Sequence, residues 1–283
     1  MCIKVRLKAN ESFVLREGWL KKGLDEVIRN PKIFSAKDAV IDLGIGSNMV
    51  KALKYYMKTM KLIKEKKVKN SGYELTEMAE LILKYDPYIQ EMETLWFLHI
   101  NFIQDDVNAF VYNYIFTNYK AKKFTKEDLQ NKLEEYLEYN NVKFSENSLK
   151  DDIASFIKTY TKTRVENPET DLNCPLADLE IVKKIDRNTI EKIIPNFTKL
   201  NVYIVYYALI TMLNEKNEIG IDEILYGKNS PGSILNLDKN LVNMYLEEMK
   251  KENLIEINRT AGLDMVYINK KKSLKEIFEK TYK

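Results

Sequence analysis

The 283 residues carry 45 Lys and Arg against 42 Asp and Glu, a net charge of +3, with 45% apolar and 31% charged side chains. That balance excludes a disordered or low-complexity chain and allows two domains with a sizeable core. Two cysteines, Cys2 and Cys174, are too few for a disulfide framework or a thiolate zinc site. The longest apolar runs, TLWFLHINFI and VYIVYYALITML, are too short to span a bilayer, so no membrane is expected.

The opening MCIKVRLKAN lacks the apolar run of a secretory signal, and a cytoplasmic location is expected. Ile3, Val5 and Leu7 alternate with Lys4, Arg6 and Lys8, the pattern of a short strand. A helix is predicted from Trp19 to Ile28, ending before Asn30-Pro31. Ser35 with Asp38 three residues on reads as a capping-box variant that starts a short helix, AKDAVIDLG, closed by Gly44. GIGS turns the chain, Ser47 or Asn48 caps the next helix, and that helix runs to about Ile63. Met49, Leu53, Tyr56, Met57 and Met60 form one apolar stripe on it. Lys51, Lys54, Tyr55 and Lys58 are expected on the opposite face. Between Leu43 and Tyr73 the chain has eight lysines and one acid, Glu65. Solvated helix faces usually mix signs, so this one calls for an anionic partner.

LIKEKKVKNSGYELT then reads as a charged strand, an Asn-Ser-Gly turn and a returning strand through Tyr73 and Leu75. Helix, short turn, helix and hairpin is the order of a winged helix-turn-helix, whose second helix enters the major groove. On this reading double-stranded DNA is the partner. Asn48, Lys51, Lys54, Tyr55 and Lys58 lie in or beside the groove, and Lys64, Lys66, Lys67 and Lys69 lie on the backbone. In REGWLKKG, Arg16 and Lys21 are further candidates for phosphate contacts. The plain alternative there is surface ion pairs, with Trp19 in the core.

From Thr76 to about Thr163 the pattern is all helical, with LWFLHINFI as a buried central helix. Thr125 before Asp128 and Ser148 before Asp151 mark two helix starts. NPETDLNCP is the plausible linker. Beyond it, VYIVYYALITMLNEK is a buried helix and GIDEILYG a short helix closed by Gly227. A further helix carries Leu241, Met244, Tyr245 and Met249 on one face, followed by a wing-like hairpin around Ala261-Gly262. Asp238, Glu247 and Glu248 make this end less suited to DNA and better suited to protein contacts. The expected fold is mainly α with minor β: a winged helix-turn-helix over 1–75, a helical domain over 76–165 and a winged-helix-like domain over 176–283.

The strings ESFVLREGWLKKGL and FSAKDAVIDLGIGSNMVKALKYYMK resemble the SspB-like family of bacterial DNA phosphorothioation and defence gene clusters. The matching residues are Arg16, Glu17, Gly18, Trp19, Lys21, Gly23 and Leu24 in the first string, and Gly44, Gly46, Asn48, Met49 and Val50 in the second. The resemblance spans nearly the whole chain. It implies DNA binding, with strand nicking, in sulfur modification of the backbone and anti-phage defence. The partners it implies are a protein resembling phosphoadenosine-phosphosulfate reductase and an ATPase of the same cluster. It supplies no matched catalytic motif.

Catalytic residues are therefore unassigned, and no cofactor is expected unless the chain is a nickase using Mg²⁺ or Mn²⁺. His99, alone in an apolar helix, reads as a hydrogen-bonded core residue. Asp105 and Asp106 near it, and carboxylate–lysine spacings such as Glu65 with Lys67 or Glu248 with Lys250, occur at chance frequency in so charged a chain. Asp38 and Asp42, one helical turn apart, could share a divalent ion, but they read more simply as a cap and a solvated aspartate. There is no Walker A string and no dinucleotide-binding fingerprint. A non-enzymatic scaffold docking a sulfur-transfer partner through its acidic C-terminal half is the remaining alternative.

Overall fold

The computed structural model describes residues 3–68, 71–162, 173–260 and 263–283. The fold is mainly α with minor β. The first helix, α1 (Trp19–Arg29), starts after Gly18, whose φ of 74° favours glycine. A 3-10 turn (Ile33–Ser35), α2 (Ala39–Leu43) and α3 (Ser47–Thr59) follow. Gly44 at φ 58° ends α2 as expected. A Cβ on Gly23 would fall against Met57 Sδ, so the glycine lets α1 and α3 pack closely. The short strands β1 (Ile63–Glu65) and β2 (Tyr73–Leu75) pair antiparallel, with Ile63 opposite Leu75. A Cβ on Gly72 would land on the Pro31 carbonyl, which accepts the Tyr73 N–H at 2.8 Å, so the hairpin is seated on the chain leaving α1.

Three N-terminal expectations change. Residues 3–8 form no strand: the Arg6 N–H donates to Val107, and the Lys8 N–H to the Asp152 carboxylate, so the segment is held by loop and side-chain acceptors. Ser35 closes the 3-10 turn instead of capping α2. Asp38 takes the cap position but makes no side-chain cap bond. The helix α3 also ends at Thr59, short of Ile63, because Lys61 turns through φ 56° into β1.

The middle contains α4 (Glu77–Tyr85), α5 (Met92–Gln104), α6 (Phe110–Thr117), β3 (Lys123–Thr125), α7 (Lys126–Tyr139) and α8 (Glu146–Tyr160). Helix α5 is buried on every side from Thr94 to Ile103. The Thr125–Asp128 capping box starts α7 as read. The cap of α8 is Ser145, which accepts the Ser148 N–H, so Ser148 lies inside the helix. The all-helical expectation is broken by β3. It pairs with β5 (Thr189–Lys192), which also pairs with β4 (Val182–Lys184), in the order β3-β5-β4.

The last part runs α9 (Val202–Leu213), β6 (Glu218–Gly220), α10 (Ile221–Tyr226), α11 (Pro231–Ile234), α12 (Lys239–Lys251), β7 (Ile255–Thr260), β8 (Leu263–Ile268) and α13 (Leu274–Thr281). The antiparallel sheet order is β6-β8-β7. On α12 the buried set is Val242, Tyr245, Leu246 and Met249. Met244, expected inside, is exposed, which rotates the stripe by part of a turn. Helix α13, absent from the sequence reading, packs on α4 and α9, and Phe278 stacks on Phe97 with centroids 4.6 Å apart. One continuous apolar core links all three parts.

Candidate nucleic-acid interface

The floor of the basic face is the apolar stripe of α3. Leu53, Tyr56, Met57 and Met60 are fully buried, against α1 through Gly23 and against α5 through Phe102. Burial of this side forces Asn48, Lys51 and Lys58 outward, and all three are exposed. Lys51 Nζ lies 3.1 Å from Asn48 Oδ1 and 3.9 Å from the Glu11 carboxylate. Lys58 Nζ lies 2.9 Å from Glu65, and this hydrogen bond and charge hold Glu65 below the usual carboxylate range. Half-buried Lys54 places its ammonium 5.2 Å over the Tyr73 ring, and Lys58 lies 5.8 Å over the same ring. Tyr73 thus joins hairpin and helix into one cationic surface. On the hairpin, Lys64 pairs with Glu74 at 3.3 Å, while Lys66 and Lys67 form no ion pair among the described residues. Lys69 lies outside the described residues.

Exposed pairs of this kind are worth about 0–1 kcal/mol, so Glu11, Glu65 and Glu74 hold their lysines loosely enough for a phosphate to compete. The imbalance of charge in sequence is therefore reduced in space but not removed.

Tyr55 does not belong to this face. It is 8% exposed, meets Phe102 edge-on, and its hydroxyl donates to the Asn108 carbonyl at 3.1 Å. Helix α3 is buried along two flanks, and a single-stripe reading placed the second flank in solvent. Arg16 precedes α1 and Lys21 lies in its first turn. They line a narrow crevice with Leu20, Tyr88, Leu95 and Leu176, with Arg16 5.7 Å over the buried Trp19 and Lys21 paired with Asp25.

His99 is a core residue, as read. Nε2 donates to the Ile234 carbonyl at 2.7 Å, leaving Nδ1 to accept from the Tyr160 hydroxyl at 2.8 Å. Burial pushes the imidazole down to about 4, so it stays neutral. Both ring nitrogens are occupied, and neither Asp105 nor Asp106 reaches them. Asp105 accepts from Asn108, and Asp106 pairs with Lys228. Asp38 and Asp42 are both exposed. Among the described residues no group of three or more His, Cys, Asp or Glu could hold a metal ion, and no helix is long and apolar enough to cross a membrane.

Over residues 8–282 the chain matches the family described as "Protein of unknown function (DUF4007)". The chain belongs to this family. Among curated proteins none matches it. Two solved structures share the fold: magnesium-bound SspB, at a TM-score of 0.82 and 23% identity, and SspB alone, at 0.81 and 22%. In both, 93% of this chain and 83% of the other are covered. The resemblance read from REGWL-K-GL and LGIG-NMV is thus matched by a shared fold over most of the chain. Its glycines have physical reasons: Gly18 and Gly44 have positive φ, and Gly23 admits Met57.

Proposed function

We propose that the chain is a duplex-DNA-binding component of a bacterial DNA phosphorothioate modification and defence system. It would act beside the phosphosulfate-reductase-like protein and the ATPase implied by the family resemblance. The observation that carries the reading is the cationic surface made by Asn48, Lys51, Lys54 and Lys58 on α3 with Lys64, Lys66 and Lys67 on the hairpin. We read α2, α3 and the β1–β2 hairpin as a winged helix-turn-helix within a domain of residues 1–75, with α3 toward the groove and the hairpin along the backbone. Residues 76–165 are the helical support. For residues 176–283 a second winged-helix-like unit is favoured by the order α9, β6, α10, α12 and then a hairpin whose β8 pairs with β6. Its helix α12 shows Lys239, Glu247, Lys250 and Lys251 outward, a mixed-sign face suited to protein contact.

Fluorescence anisotropy with a labelled duplex tests this. If four to six phosphates are neutralised, log K falls against log salt with a slope of about −4 to −5. A flat dependence, or no binding at low salt, removes the reading. A nickase is the second reading, favoured by the magnesium bound to the related SspB. Asp38 and Asp42 are the acidic pair nearest α3 in sequence. If the chain nicks supercoiled plasmid with Mg²⁺ or Mn²⁺, Asp42→Asn should abolish nicking while keeping duplex affinity. Nicking that survives in both Asp38→Asn and Asp42→Asn places the chemistry elsewhere.

A further inference from the structure

The sheet β3-β5-β4 assembles a second cationic surface from two segments far apart in the chain. Over residues 120–128 and 182–192 there are eight basic side chains against four acidic ones, a surplus larger than the +3 of the entire chain. Lys120, Lys122, Lys123, Lys126, Lys183, Lys184 and Arg187 are all exposed. The acids among them are largely committed. Asp128 closes the capping box of α7, and Asp186 accepts the N–H groups of Asn188 and Thr189 at 2.8 and 2.9 Å. Glu191 is shared by Lys122 and Lys123 at 3.5 and 3.9 Å. Register places Lys123, Glu191 and Lys183 in one row across the three strands, with Phe124 and Ile190 turned inward.

Beside the sheet opens a cavity of about 240 Å³, walled by Lys120, Lys122 and Lys192 and by the rings of Tyr119 and Tyr226. Lys192 is buried and has no carboxylate partner among the described residues. Its ammonium donates to the carbonyl of Ile115, in the last turn of α6, and to that of Tyr119 just beyond the helix. Burial lowers the ammonium to about 8. Among the described residues Asp238 is the one acid in the wall, and its carboxylate caps α12 through the Leu241 N–H. Lysines on a sheet beside a positively charged pocket with aromatic walls match a chain of phosphates carrying flat bases.

We propose that this sheet and its cavity form a second nucleic-acid contact surface, independent of α3, in which a phosphate-bearing strand crosses Lys123 and Lys183 and turns into the cavity at Lys120 and Lys122. Two of the two-residue variants decide it by anisotropy on labelled single-stranded and duplex DNA: Lys123→Glu with Lys183→Glu on the sheet, and Lys51→Ala with Lys58→Ala on α3. The sheet variant is expected to bind at least tenfold more weakly to one probe or both, with a salt slope shallower by about 2. In the unaltered protein, bound DNA should protect Lys122, Lys123, Lys183 and Lys184 from acetylation read by mass spectrometry. If the sheet variant binds both probes unchanged and those lysines are not protected, this inference is overturned, and the α3 reading stands or falls on its own variant. Loss confined to the sheet variant would instead keep this surface and remove α3. Circular dichroism of both variants should match the native spectrum, because all four altered side chains are exposed in the native fold.

Discussion

Gly72 has a φ of 89°, and any Cβ there would meet the Pro31 carbonyl. Gly72→Ala should therefore cost at least about 1–3 kcal/mol, read as a lower urea midpoint, and should loosen the hairpin that carries Lys66 and Lys67. The hairpin was legible from its two strands, while the Asn-Ser-Gly turn starts at Asn70, outside the described residues. Its seating on Pro31 was not legible, because nothing local encodes a backbone 41 residues upstream. Buried Asp152 offers a second test at this scale. Burial lifts its carboxyl to about 7, against an ordinary 3.8, even though it accepts the Lys8 N–H at 2.8 Å. Since the folded value is raised, its stabilisation is complete below about 4 and is lost as the pH rises through 7. Asp152→Asn keeps an acceptor for Lys8 and cannot ionise. It should match the native protein at pH 4 and exceed it by about 2–4 kcal/mol at pH 8, in urea titrations at the two pH values.

Among the elements, α3 was the most legible and the most instructive in its error. Its five-residue stripe was read correctly at Leu53, Tyr56, Met57 and Met60, yet periodicity describes one axis, and α5 added a second contact that took Tyr55 inside. The two sides should respond differently to substitution. Leu53→Ala should cost about 2–5 kcal/mol by leaving a cavity between α1 and α3. Lys58→Ala should change stability by no more than about 0.5 kcal/mol, because its ion pair with Glu65 is exposed, while weakening DNA binding. Equal losses of stability from both would mean the basic side is also packed. Helix α5 was legible as buried from composition alone. The strands β3, β4 and β5 were not, since segments of three or four residues carry too little alternation to register.

Across the whole molecule, the charge map has more content than the net +3 suggests. Two basic surfaces, one on α3 with its hairpin and one on β3-β5-β4, sit on a remainder in which acids outnumber bases. The first was visible because its lysines are contiguous in sequence. The second requires a fold to collect it. The core is similarly shared: α13 closes over α4 and α9, with Phe278 on Phe97 and Tyr282 bonded to Thr94 at 2.5 Å. Removing residues 273–283 should uncover Phe97 and lower the melting temperature of the whole chain, not only of its last part. A calorimetric trace that kept its main transition in place would argue against this shared core. Acid adds a further expectation. His99, held neutral near 4 against 6.5 unfolded, contributes stability that is present above 6.5 and lost as pH falls through 4. In the Asp152→Asn protein, where the opposing carboxyl is silent, urea midpoints should therefore fall between pH 6.5 and 4.

The pairing of β3 with β5 also sets an order in time. During synthesis Phe124 leaves the ribosome more than sixty residues before its cross-strand partner Ile190. At about 5–20 residues per second that is a wait of roughly 3–13 s. Through that interval the edge of β3 has no strand to close it and depends on α7, which it directly precedes, for cover. The α3 surface needs α1, the hairpin and α5, all complete before β3 has been made. One newborn chain would thus gain its two cationic faces in sequence, with the contiguous one finished first and the gathered one waiting for β5.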